Sequence, residues 1–99
     1  MSYRAVIDPD LASTGRKLWS KSPARYEQLR KKIRFLVENP DSGKPLHPPL
    51  KGQWRVHIGQ FILFYVIDAK ENAIVFLKLL YHDEAYNYCL LYTSDAADE

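Results

Sequence analysis

Cysteine is almost missing from this 99-residue chain. Its one thiol, Cys89, falls in the last stretch, which excludes an internal disulfide framework and any cysteine-based metal site. Long apolar runs are missing too. The longest, 61–67 and 73–77, fall far short of the ~20 residues that cross a bilayer, so no membrane partner is expected. No basic, apolar and small-residue sequence opens the chain, so a secretory leader is not expected either. Repeats and low-complexity tracts are lacking. The three histidines show no HxxxH or similar spacing, so neither a metal nor another cofactor is expected. A cytoplasmic protein fits this set of absences.

What is present describes one domain. A chain of 99 residues, 46% hydrophobic and 26% charged, has room for a single two-layer core. The final segment, CLLYTSDAADE (89–99), continues no earlier pattern. It resembles the translation of a transposon-end sequencing adapter, so the domain is expected over 1–88 with 89–99 as a non-native tail. That tail holds Asp95, Asp98 and Glu99 and no basic residue. Without it, 9 of the 12 acidic side chains stand against all 14 basic ones, and the formal charge moves from +2 to +5. Most of the surplus lies between Arg16 and Arg55, a field that favours an acidic or polyanionic partner.

The chain begins with YRAVI (3–7), β-branched and aromatic enough for a short strand. Asp8 before Pro9 predicts a helix start, and that helix runs to about Ser20 with Leu11, Leu18 and Trp19 as core contacts. Ser22 and Pro23 repeat the signal. In the second helix Tyr26, Leu29, Ile33, Leu36 and Val37 form one buried stripe, while Arg25, Arg30, Lys31, Lys32 and Arg34 lie mainly off it. That basic face is either solvated or turned toward RNA or a protein partner. Asn39 before Pro40 ends the helix.

A hairpin follows in WRVHIGQFILFYVID (54–68). Gly59 and Gln60 suit a two-residue turn, which places His57 opposite Ile62 and Arg55 opposite Phe64. Trp54, Val56, Ile58, Phe61, Leu63 and Tyr65 then share the face that buries against the helices. A last strand, 73–80, carries one charge, Lys78. With Ile67 opposite Ala73, Lys78 falls beside Ile62 on the Arg55 and His57 face. The expected fold is α+β: an N-terminal strand, two helices and a three-strand antiparallel meander, with the helices on one face and the other partly open.

Arg55, His57, Lys78, His82, Asp83 and Tyr86 are the polar residues that can converge on that second face. RNA cleavage by its own 2′-hydroxyl needs a base, cations for the phosphate and an acid for the departing 5′ oxygen. Imidazole serves either proton role because its pKa of about 6.5 lies near working pH. Arginine offers the phosphate a fixed fork of donors, and tyrosine can stack on a base. Each residue singly also fits a wet strand face or a packed terminal turn.

From about residue 2 to 86 the chain resembles the RelE/ParE superfamily of toxins from type II toxin–antitoxin pairs. The resemblance rests on LKG (50–52), the hairpin 54–68 and FLKLLYHDEAY (76–86), in the family's order and spacing. For the RelE branch it implies ribosome-dependent mRNA cleavage, a cognate antitoxin as partner, and the ribosome and mRNA as targets. Catalytic roles fall on Arg55, His57, His82 and Tyr86; Lys51, Lys78 and Asp83 become candidate substrate-binding residues. One position departs. The arginine usual three residues after the Gly turn is Ile62 here, which leaves the ParE branch, non-enzymatic inhibitors of DNA gyrase, as the alternative. A degenerate toxin that only binds its antitoxin is the other.

Overall fold

Asp8 opens the first helix through its own side chain. Its Oδ1 accepts the N–H of Asp10 at 2.9 Å, and Pro9 takes the first helical position, where a missing N–H costs nothing. The computed structural model describes residues 3–46, 52–85, 87 and 88. In it β1 (Arg4–Ile7) leads into α1 (Pro9–Lys21) and α2 (Pro23–Glu38), then a short 3-10 turn (Pro40–Ser42), β2 (Lys44–Pro45), β3 (Gln53–Ile58), β4 (Phe61–Asp68) and β5 (Ala73–Tyr81). Ser22, unlike Asp8, makes no side-chain cap at α2. The meander holds and is extended at both edges into five strands, ordered β1-β5-β4-β3-β2, with β1 parallel to β5.

The hairpin has the register its turn dictates. Gly59 sits at φ +60, and Ile58 pairs with Phe61, His57 with Ile62, Arg55 with Phe64. The β4–β5 register differs from the expected one. Asp68, not Ile67, lies opposite Ala73, and a bulge at Leu77 of β5, facing the Phe64–Tyr65 step of β4, shifts the pairing again. Lys78 therefore stands opposite Phe64 rather than beside Ile62. The bulge leaves Leu77 unpaired and turns it, with Lys78, toward the second face, while Phe76 and Leu79 stay in the helix-facing core.

Leu11, Leu29, Leu36, Leu63, Tyr65, Ile74 and Phe76 build that core, with Ile33, Val37, Trp54 and Val56 packed around it. Trp54 stacks on Tyr65 with ring centroids 6.2 Å apart. Trp19 does not belong. It is 58% exposed and meets the edge of Tyr26 at 5.3 Å, because it turns toward α2 while Leu18 beside it packs on the core. Tyr65 is the one buried residue of this core with a polar tip. Its hydroxyl donates to the Pro40 carbonyl at 2.8 Å and accepts the Gly43 N–H at 3.1 Å, tying the exit of α2 to the sheet. Burial pushes this phenol above its ordinary pKa, against the opposing Gly43 hydrogen bond. The neutral hydroxyl thus contributes stability fully below about pH 10, and that contribution falls as pH rises through the raised value.

Candidate functional site

Four strands set four side chains in one row across the second face. Lys44 lies opposite Arg55, Arg55 opposite Phe64, and Phe64 opposite Lys78. Directly opposed residues project from the same face, so three cations flank one phenylalanine. Lys44 and Arg55 carry like charge across a ladder, an arrangement that costs stability unless an anion relieves it. Among the described residues neither makes an ion pair.

The next row holds the imidazoles. His57 pairs with Ile62 and Ile62 with Leu80, which brings the end of β3 near the chain leaving β5. There His82 opens a helical turn, residues 82–85. Its N–H donates to the Gln60 carbonyl at 2.8 Å, and the neighbouring Tyr81 hydroxyl donates to Gln60 Oε1 at 2.6 Å. Gln60 of the hairpin turn therefore fixes where His82 sits. The His57 and His82 rings lie 6.5 Å apart, centroid to centroid, with planes inclined by 27°. One phosphodiester can reach both. Asp83 Oδ1 stands 3.8 Å from His82 Nδ1, in water, with side chains 89% and 61% exposed.

The middle of this face is roofed rather than open. Ile62, Phe64 and Ala85 are buried in a second apolar cluster, with Leu46, Leu77, Leu80 and Tyr88 packed on it. Tyr88 meets the Phe64 ring edge-on at 4.9 Å, its hydroxyl donates to Gln53 Oε1 at 3.3 Å, and Lys78 Nζ rests 4.9 Å over its ring. Burial of that small cluster anchors the turn that carries His82. The cations and imidazoles lie around its rim.

On the opposite side α1 and α2 leave an apolar groove of about 870 Å³. Ile7 and Trp19 form its exposed walls, Leu11 and Leu29 its floor, and Arg16 and Arg30 its basic rim. It lies by β1, an edge strand of the sheet.

The model of the family described as ParE toxin of the type II toxin–antitoxin system, parDE, matches residues 10–86. The chain belongs to the RelE/ParE toxin superfamily. A Methanocaldococcus jannaschii protein carrying the name RelE4 is 29% identical over 85 residues, which span 85% of this chain and 90% of the relative. Among solved structures, the Mycobacterium tuberculosis toxin–antitoxin complex RelBE2 superposes with TM-score 0.73 at 23% identity, covering 82% of this chain and 99% of that one. A free mutant of Escherichia coli RelE gives TM-score 0.70 at 21% identity, over 89% of this chain and 92% of the other. At those identities the structures speak for the fold.

In this RelE/ParE toxin Arg55, His57 and Lys78 project from one face of the sheet, and His82, with Asp83 beside it, comes within 6.5 Å of His57. Lys51 and Tyr86, the remaining expected site residues, lie outside the described residues, as does the segment 89–99. Sequence reasoning missed Lys44, Gln60 and Tyr88. The i, i+3 spacing of Ala85 and Tyr88 was the available signal for the apolar roof. No comparable pattern marked Lys44, whose strand is two residues long. No helix among the described residues is long and apolar enough to cross a membrane.

Proposed function

We propose that this toxin is a ribosome-dependent mRNA endoribonuclease held in check by a cognate antitoxin. The observation that carries the reading is the pair of imidazoles 6.5 Å apart at the edge of a cation row with no acid among its paired positions. One neutral imidazole, assigned to His57, takes the proton of the ribose 2′-hydroxyl as its oxygen attacks phosphorus. Arg55 and Lys44 hold the charge that grows on the non-bridging oxygens. Protonated His82, paired with Asp83, gives its proton to the departing 5′ oxygen. A 2′,3′-cyclic phosphate and a 5′-hydroxyl result. Tyr86 is assigned base stacking, and Lys51 and Lys78 the flanking phosphates, on the strength of the resemblance.

Mapping the 5′ ends of abundant mRNAs soon after induction tests this. New ends inside reading frames should appear with the parent and vanish with His82→Ala. Unbroken mRNA during growth arrest would sink the reading.

Ile62 favours a second reading. It is buried against Phe64 and Ala85, so no guanidinium occupies that place and a ParE-like gyrase inhibitor remains the alternative. DNA breaks with intact mRNA would select it.

The antitoxin is proposed to cover the sheet face and to lay an amphipathic helix in the α1–α2 groove, whose arginine rim suits acidic flanks. The complex solved for the mycobacterial neighbour supports such a partner. Trp19→Ala removes the largest exposed ring of the groove and should weaken capture by the cognate antitoxin about 30-fold, as loss of a tryptophan anchor does. Unchanged capture would move the helix elsewhere.

A further inference from the structure

The nuclease reading leaves unused a recess where α2 passes the hairpin turn. It measures about 410 Å³ and is lined by Lys31, Lys32, Phe35, His57 and Gly59 among others. Phe35 breaks the logic of its helix. Leu36 beside it is buried and Ile33 packs on the core, yet the Phe35 ring is 48% exposed. Lys32 Nζ stands 5.6 Å over that ring. Glu27, the acid of α2 nearest these lysines in sequence, is instead paired with Arg30 at 3.8 Å and Arg34 at 3.6 Å. Among the described residues no acidic side chain lines the recess.

Here β3 is near the sheet edge, since β2 pairs only with Trp54 and Arg55. His57 is thus reachable from α2 as well as from the second face. It belongs to both the recess and the imidazole pair.

We infer that this recess is a subsite for single-stranded RNA continuing past the cleavage face, with one unstacked base on Phe35 and its phosphates on Lys31 and Lys32. The inference rests on the nuclease reading. A ring in a recess lined by lysines fits a splayed base, because every base has a π-face and each phosphate beside it finds a cation. A duplex keeps its bases stacked and gives the ring nothing to hold.

Anisotropy of a labelled 2′-O-methyl oligonucleotide of about six residues, a common site length for such surfaces, measures binding on the full chain. The blocked 2′ oxygen prevents cleavage, so binding is read apart from chemistry. Phe35→Ala should weaken binding about tenfold and Phe35→Trp should retain it. Replacing Lys31 and Lys32 by alanine should flatten the slope of log K against log salt by about 1.4. Absent saturable binding at low salt, equal binding by Phe35→Ala, or preference for duplex would overturn the subsite. Phe35-dependent binding by a toxin that leaves mRNA intact would overturn the nuclease reading alone.

Discussion

Replacing Gly43 by alanine is expected to lower the thermal midpoint by about 15 °C, the largest stability effect at any glycine in the described residues. A Cβ built there falls 2.5 Å from the Arg55 carbonyl oxygen and 2.5 Å from the Tyr65 hydroxyl. The first neighbour is backbone within the β2–β3 ladder and cannot swing aside. The second is the tip of a fully buried ring already bonded to Pro40 and Gly43. Either β2 separates from β3 or Tyr65 leaves its site, and both routes forfeit hydrogen bonds. Overpacking with such loss costs about 3 kcal/mol, and in a domain of this size each kcal/mol moves the midpoint by roughly 5 °C. Gly59 gives the contrast. Its positive φ strains any replacement, but nothing lies within 4 Å of an added Cβ, so alanine there should cost only about 1 kcal/mol. Thermal unfolding of both variants checks the ranking. Equal midpoints would show that the approach of Gly43 to Tyr65 is looser than these distances imply.

Arg55→Gln is expected to reduce mRNA cleavage on purified ribosomes about 10²- to 10³-fold with little change in the fold. Among the described residues its side chain has no ion pair, so glutamine leaves no orphaned acid and the strand keeps its ladder. On the proposed nuclease reading, what is lost is a pre-placed cation where phosphate charge develops, and removing one oxyanion-hole donor from an acyl-transfer site costs that much. Lys44→Ala should cost less, because its exposed ammonium is screened by salt. If Arg55→Gln cleaves at the parental rate, the cation row serves some other anion and the assignment of the face is wrong.

How far the sequence went depended on what set each geometry. All the β3–β4 pairs followed from one turn, because Gly59 fixes a two-residue connection and the period of two does the rest. The face shared by Arg55 and His57 was readable for that reason. The β4–β5 pairing was not, since a bulge at Leu77 has no local signature in a run of apolar residues. Trp19 shows another limit. Helical spacing marks an apolar face but does not say whether this chain or a partner covers it, and Trp19 faces the groove. Phe35 and Lys44 were unreadable because their importance lies in neighbours contributed by other elements. The approach of His82 to His57 needed the Gln60 bond, a contact between a turn and a strand end 22 residues apart.

The most direct measurement is the chemistry of the ends left when purified toxin meets a defined mRNA on purified ribosomes. Fragments ending in 2′,3′-cyclic phosphate with 5′-hydroxyl partners, lost in both His57→Ala and His82→Ala while each variant keeps its circular dichroism, are the expected result. Intact mRNA from the folded parent, or cleavage that survives both histidine substitutions, would contradict the assignment of that face to RNA cleavage.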